Sequence, residues 1–162
     1  MPAKSIFLAP QDFPKDHRAC FQGLVEKGSQ VAIGGLAELI SAAKTLACVF
    51  VGDEMVSVGA LKCPRTNYRK SKFTAAESSK DPSEYLYELG WIFTEEPHRK
   101  RGYCGLILRG LLNNLEVPVY ATAKISNTDI HGILKHYDFV QEGGPFPGSS
   151  EEVLLFIREP KS

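Results

Sequence analysis

The sequence has no net charge, since 19 lysines and arginines balance 19 aspartates and glutamates. Without an excess of one sign, nothing global draws the chain toward nucleic acid or an anionic membrane. No apolar run reaches the length of a membrane span, and Met1-Pro2-Ala3-Lys4 lacks the apolar core of a signal peptide. The expected compartment is therefore the cytoplasm. Cysteines are few, and Cys20, Cys48, Cys63 and Cys104 include no Cys-x-x-Cys pair, which argues for reduced thiols rather than zinc or disulfides. His131 and His136 are too far apart in sequence to share a helix face as ligands, so no metal is expected. There is no internal repeat and no low-complexity tract. With 43% hydrophobic residues, one globular domain over residues 1–162 is expected.

The most informative stretch runs from Tyr85 to Leu115. From Tyr85 to Thr94 the pattern alternates as in a strand, with Tyr85, Tyr87, Leu89, Trp91 and Phe93 on one face and Leu86, Glu88, Gly90, Ile92 and Thr94 on the other. One face is an apolar wall, whereas the other carries a lone carboxylate beside a glycine. Next come His98, Arg99, Lys100, Arg101, Gly102, Tyr103, Cys104 and Gly105. From Cys104 the apolar residues Ile107, Leu108, Leu111, Leu112 and Leu115 recur at helical spacing. A helix N-terminus presents unpaired N–H groups and partial positive charge, and three cations and two glycines stand at this one. Such a turn suits a phosphate group, although a solvated basic loop that happens to start a helix has the same composition. It has neither the Gly-Lys-Ser/Thr ending of a P-loop nor a three-glycine dinucleotide fingerprint.

The rest of the chain predicts an alternation of strands and helices. Ser5-Ile6-Phe7-Leu8 reads as a strand, residues 14–27 as a helix stopped by Gly28, and Leu36 to Lys44 as a second helix. Thr45 to Val51 and Met55 to Leu61 form a hairpin across Gly52-Asp53-Glu54. Lys62 to Glu84 is polar and reads as a long connection whose early cations, Lys62, Arg65, Arg69, Lys70 and Lys72, are either solvated or an anion site. Val117 to Ile125 is a further strand, and Ser126-Asn127 caps a helix from Thr128 to His136. A last strand, Val153 to Ile157, lies beyond a loop from Gly143 to Glu152.

The turn Arg99-Lys100-Arg101-Gly102-Tyr103-Cys104 resembles the Arg/Gln-x-x-Gly-x-Gly/Ala signature of the GNAT (Gcn5-related) N-acetyltransferases, with Cys104 where Gly or Ala is usual. The resemblance is closest from Glu88 to Phe139 and looser before it. It implies an α/β fold with a mixed, mostly antiparallel central sheet of six to seven strands flanked by about four helices. It also implies acetyl-coenzyme A as co-substrate, with its pyrophosphate on the backbone of Arg99, Lys100, Arg101, Gly102, Tyr103, Cys104 and Gly105. The thioester and pantetheine would lie along Ile92, Phe93 and Thr94, and Asn127 after the fifth strand would also contact the cofactor. The connection between the first two helices would line the acceptor pocket.

Acetyl transfer needs a base for the ammonium of the acceptor and donors for the oxyanion. Glu88 aligns with the glutamate that acts as base in the histone acetyltransferase branch, and desolvation on a buried strand favours a neutral carboxyl. A structural glutamate paired with a neighbouring cation or hydroxyl is the other reading. The family's proton-donating tyrosine falls on Leu134, so Tyr137, three residues on, is the candidate acid, with Cys104 and Tyr103 as weaker candidates and water as a further proton source. The resemblance thus implies an N-acetyltransferase acting on a primary amine of a small molecule or peptide, with a homodimer among the assemblies common in relatives. An acyl-coenzyme A sensor that has lost catalysis is the alternative, suggested by Leu134 and Cys104. A phosphate-backbone binder using Lys62 to Lys72 and Arg99 to Arg101 is the third, although no aromatic stacking platform accompanies those cations.

Overall fold

The computed structural model describes residues 2–29 and 34–160. Seven strands form one sheet in the order β1-β2-β3-β4-β5-β7-β6, and five α-helices accompany it among the described residues. This is a mixed α/β architecture. The chain divides into two compact units, one formed by residues 1–63 and 89–114 and the other by residues 64–88 and 115–162.

The first unit contains β1 (Ala3–Leu8), α1 (Lys15–Ser29), α2 (Leu36–Ser41), β2 (Thr45–Val51), β3 (Glu54–Lys62), most of β4 (Tyr87–Thr94) and α4 (Tyr103–Leu112). The strands β1, β2 and β3 are antiparallel, with Ile6 opposite Cys48 and Ala47 opposite Gly59. Helices cover both faces, so β2 and β3 read as nearly continuous apolar runs rather than as alternating ones. Leu46, Cys48, Val58 and Ala60 join Phe13, Phe21, Val25, Leu36 and Ile40 in one core cluster, against which Trp91 and Phe93 pack. On the other face α4 approaches closely because glycines let it. A Cβ on Gly59 would lie 2.7 Å from both Ile107 and Ile92, and one on Gly110 would lie 2.1 Å from the Phe7 ring. These contacts set the position of α4 and of the turn that opens it.

The second unit holds α3 (Thr66–Ala75), the start of β4, β5 (Val119–Lys124), α5 (Thr128–His136), β6 (Val140–Pro147) and β7 (Glu152–Arg158). The strands β5 and β6 both run antiparallel to β7, whereas β4 pairs with β5 in parallel. Tyr120 faces Ile157 in the β5–β7 register, and both join Phe73, Ala76, Tyr85, Phe146 and Leu155 in the core of this unit.

Three expectations need correction. The stretch Lys62 to Glu84 is not a long loop but holds α3 and a short 3₁₀ turn at Pro82–Glu84. Arg69, Phe73 and Ala76 form its buried stripe, and three apolar or amphipathic positions among so many polar ones leave little periodicity to detect. The glycines and prolines after Gly143 do not end the sheet either, since β6 continues to Pro147. It is an edge strand whose register shifts between Glu142 and Phe146, and edges tolerate both proline and such irregularity. Finally, β4 begins at Tyr87, and its wall of aromatics is divided: Tyr85 serves the second unit's core, whereas Trp91 and Phe93 serve the first's.

Candidate active site

The turn after β4 is held by its own residues. Glu96–His98 make one 3₁₀ turn, closed by the His98 N–H donating to the Glu95 carbonyl at 2.9 Å. Arg99 then ties the chain back, its Nε donating to the Thr94 carbonyl at 2.9 Å while its guanidinium lies 5.7 Å from the Phe93 ring centre. Arg99 is thus a strap for the turn. Lys100 and Gly102 take φ of 63° and 82°, left-handed values that cost glycine little and a side-chain-bearing residue about 1–2 kcal/mol. Two such residues around Arg101 swing the chain into α4.

Gly102 caps α4 and has no side chain with which to bond the first turn. The helical ladder begins with the Leu106 N–H donating to the Gly102 carbonyl at 3.0 Å. The N–H groups of Tyr103 and Cys104 precede that bond, at the positive end of the helix. A Cβ on Gly102 would meet no atom within 4 Å, and Lys100 and Arg101 are exposed beside it. Tyr103 and Gly105 are half-buried. So is Cys104, whose thiol is pushed up to about 11 by burial, making it a small neutral side chain rather than a thiolate. An open glycine face, a helix N-terminus and two exposed cations suit a pyrophosphate.

The strand before the turn has an unusual edge. Its parallel ladder with β5 covers Tyr87 opposite Val119 and Glu88 opposite Tyr120, and ends there. Trp91 sits at φ 55°, a left-handed value in mid-strand that breaks the simple alternation of faces. The β5 ladder does not extend to Leu89–Thr94, whereas β3 lies along the other side of β4. Side chains in this segment fix it from behind. Ile92 lies beside Gly59 under α4, Phe93 packs so closely on Gly28 that a Cβ there would be 2.7 Å from its ring, and Thr94 Oγ1 lies 2.7 Å from Ser57 Oγ. The Glu95 N–H donates to the Val56 carbonyl at 2.8 Å.

Glu88 lies in the second unit, among residues whose proximity sequence reasoning did not foresee. It is 3% exposed, and its neighbours include Tyr120 at 0% and Arg69 at 6%. The Tyr120 phenol is raised far above its ordinary pKa, first by burial, then by the Glu88 and Tyr68 charges, with Arg69 opposing. Tyr68 is raised by burial and by Glu88 as well. The ring of Tyr120 rests on Phe73 with centroids 5.3 Å apart, and Phe73 in turn meets Tyr85 at 5.2 Å. Arg69 precedes Phe73 by one helical turn on the same buried stripe of α3. Helix α3 is anchored by Gly143, where a Cβ would lie 2.1 Å from the Ala76 carbonyl oxygen, and by the Gly144 N–H, which donates to that oxygen at 2.8 Å. The sequence signal for this cluster was the spacing Arg69, Phe73, Ala76, hidden among lysines and arginines.

Asn127 and Tyr137 stand at opposite ends of α5. The Asn127 carboxamide oxygen caps the helix, accepting from the Ile130 N–H at 3.3 Å. Tyr137 ends it, its carbonyl accepting from Arg158 Nε at 3.1 Å. About ten residues of helix rise separate them by roughly 15 Å, so they do not act on one atom. Leu134 is 1% exposed and belongs to the core, which explains why no hydroxyl is found there. Asp138 follows at φ 73°, the conformation a glycine would adopt most readily. Of the candidate residues, Ile92–Thr94 and Arg99–Gly105 thus belong to the first unit, and Glu88, Asn127 and Tyr137 to the second. Residues 30–33, in the connection between α1 and α2 that was expected to line the acceptor pocket, lie outside the described residues. No group of three or more metal-ligating side chains occurs among the described residues, and no helix is long and apolar enough to cross a membrane.

Compared with known proteins, the chain has the GNAT acetyltransferase fold. It is similar to an acyl-CoA N-acyltransferase from Pseudomonas aeruginosa, with a TM-score of 0.73 at 10% identity over 97% of this chain and 99% of that one. Escherichia coli ElaA gives 0.72 at 10% identity over 98% and 100%, respectively. A GNAT family acetyltransferase from Elizabethkingia anophelis, solved with acetyl-CoA bound, gives 0.63 at 12% identity over 97% of both chains. No family model and no curated protein matches the sequence.

Proposed function

We propose that this protein is a cytoplasmic N-acetyltransferase that uses acetyl-coenzyme A to acetylate a primary amine of a small molecule or peptide, residues 1–162 acting as one domain. The observation that carries this reading is the strand-turn-helix junction. In a GNAT fold, a glycine at φ 82° opens an uncapped helix directly after a basic turn. The N–H groups of the turn around Gly102, with Lys100 and Arg101, hold the pyrophosphate. Those of Ile92 to Thr94 hold pantetheine and the thioester oxygen, and Asn127 adds a contact. A coenzyme thioester supplies an activated acyl carbon.

Glu88 takes the proton that an amine must lose before it can attack. As the new C–N bond forms, the C–S bond breaks, the nitrogen gives its second proton to water, and the departing sulfur takes a proton from Tyr137 or from water, leaving an amide and free coenzyme A. Burial of Glu88 at 3% exposure supports the assignment, since little water competes with a bound amine for its carboxylate. The test is thiol release from acetyl-coenzyme A with a panel of amines, run from pH 6 to 9 on the wild type and on Glu88→Gln. An acetylated amine whose rate collapses in the variant, most steeply at low pH, supports the reading. Equal turnover across the range refutes the base.

The buried Leu134 favours a second reading, an acyl-coenzyme A binding module without catalysis. Binding of acetyl-coenzyme A without thiol release for any amine would select it.

A further inference from the structure

Two hydrogen-bond donors in the second unit are buried and have no partner: Nε of Arg69, in a residue 6% exposed, and the hydroxyl of Tyr120, in a residue 0% exposed. Buried donors in native proteins are nearly always satisfied, because an orphan gives up its bonds to water and gains none in return. Arg69 is held on the inner stripe of α3 a turn before Phe73, and Tyr120 is held by its ring against Phe73. Both donors belong to the cluster that contains Glu88, which sits directly opposite Tyr120 in the β4–β5 ladder. Tyr68, next to Arg69 on α3 and 40% exposed, marks the side of the cluster that reaches solvent.

A fixed cation and a phenol O–H are complementary to an oxyanion with at least two acceptor atoms. Resting on the transferase reading above, we propose that the acceptor amine carries a carboxylate, which Arg69 and Tyr120 bind while Glu88 receives the amine. An amino-acid-like zwitterion then meets its charges in reverse, ammonium on Glu88 and carboxylate on Arg69. Arginine suits this role better than lysine because its planar fork matches a carboxylate with two parallel bonds. A phosphate also fits that fork, but a dianion close to the Glu88 carboxylate meets like-charge repulsion, which favours the singly charged group.

The experiment compares glycine, leucine, phenylalanine and glutamate with their primary amides, and phosphoethanolamine with ethanolamine, as acceptors for the full chain with acetyl-coenzyme A. The expected result is kcat/KM about ten- to a hundredfold higher for at least one amino acid than for its amide, chiefly through KM, as one charge-assisted bond implies. In Arg69→Gln that ratio falls toward one. Arg69→Lys restores part of it, and Tyr120→Phe, which keeps the ring packing, lowers it several-fold and serves if the glutamine variant does not fold. Equal use of acids and amides by the wild type, or a preference that survives Arg69→Gln, overturns the proposal, and a preference for phosphoethanolamine alone replaces carboxylate with phosphate. If no amine releases thiol, the transferase reading fails first. Calorimetric titration with the same amino acids and amides then decides the anion site by itself, since binding of the acid no tighter than its amide overturns it.

Discussion

The turn from Arg99 to Gly105 and the cluster around Glu88 are built on opposite principles. The turn is exposed from Arg99 to Gly102 and made of backbone: its conformation comes from two left-handed residues, and the groups proposed to bind are main-chain N–H groups and exposed cations. The Glu88 cluster is buried and made of side chains, and its properties come from what surrounds each polar atom. A surface built from backbone tolerates a change of side chain as long as φ is respected, whereas a buried polar cluster responds to the loss of a single atom. The difference suits the two tasks proposed, since a pyrophosphate needs many weak donors and a proton transfer needs one base in a fixed setting.

That contrast predicts a graded set of effects. The largest is Gly102→Glu, in which a carboxylate replaces open space at an anion site and coenzyme binding is lost. Next is Glu88→Gln, expected to lower kcat about a hundredfold or more while leaving coenzyme affinity intact, as single-turnover kinetics and calorimetry can check. Stability separates the two regions too. Gly143→Ala must shift the Ala76 carbonyl, 2.1 Å from the new Cβ, and should cost about 2–4 kcal/mol in urea denaturation. Gly102→Ala meets no atom and should cost only the left-handed strain, about 1 kcal/mol. Loss of the α5 cap in Asn127→Ala should cost about the same, roughly 1 kcal/mol by denaturation.

A separate effect is on pH. Burial raises Cys104 from 9.0 to about 11 and Cys48 from 9.0 to about 12, so folding favours both thiols in the protonated form. The stability they contribute is whole below pH 9.0 and is lost as pH rises through about 11 and then 12. Urea midpoints should therefore fall between pH 8 and pH 10.5, and Cys104→Ala should flatten part of that fall. Iodoacetamide at pH 8 should reach exposed Cys20 well before Cys104.

Those parts of the fold whose signals are local were legible in the sequence. Thr128–His136 is a helix with Asn127 as its cap, as the residues foretold, and α4 follows its leucine spacing. The β2–β3 hairpin likewise follows from its apolar runs and the turn at Gly52. The rest depends on contacts distant in sequence. Helix α3 shows only Arg69, Phe73 and Ala76 to the core, a stripe that makes sense once Tyr85 and Tyr120 arrive to cover it. Strand β6 contains two glycines and two prolines and is a strand because β7 lies beside it. The sequence also announced the glycine turn and singled out Glu88, but not the company Glu88 keeps. Arg69 read as one of several cations, either solvated or part of an anion site, and nothing local says that it is buried.

The most direct test of the account is the thermal shift produced by acetyl-coenzyme A in the wild type, Gly102→Glu and Glu88→Gln. A ligand that binds the native state raises Tm by mass action, about 2.7 kcal/mol of stabilisation at a hundred times Kd. The account predicts equal shifts for the wild type and Glu88→Gln, and none for Gly102→Glu. An undiminished shift in Gly102→Glu, or no shift in the wild type at saturating coenzyme, would contradict it.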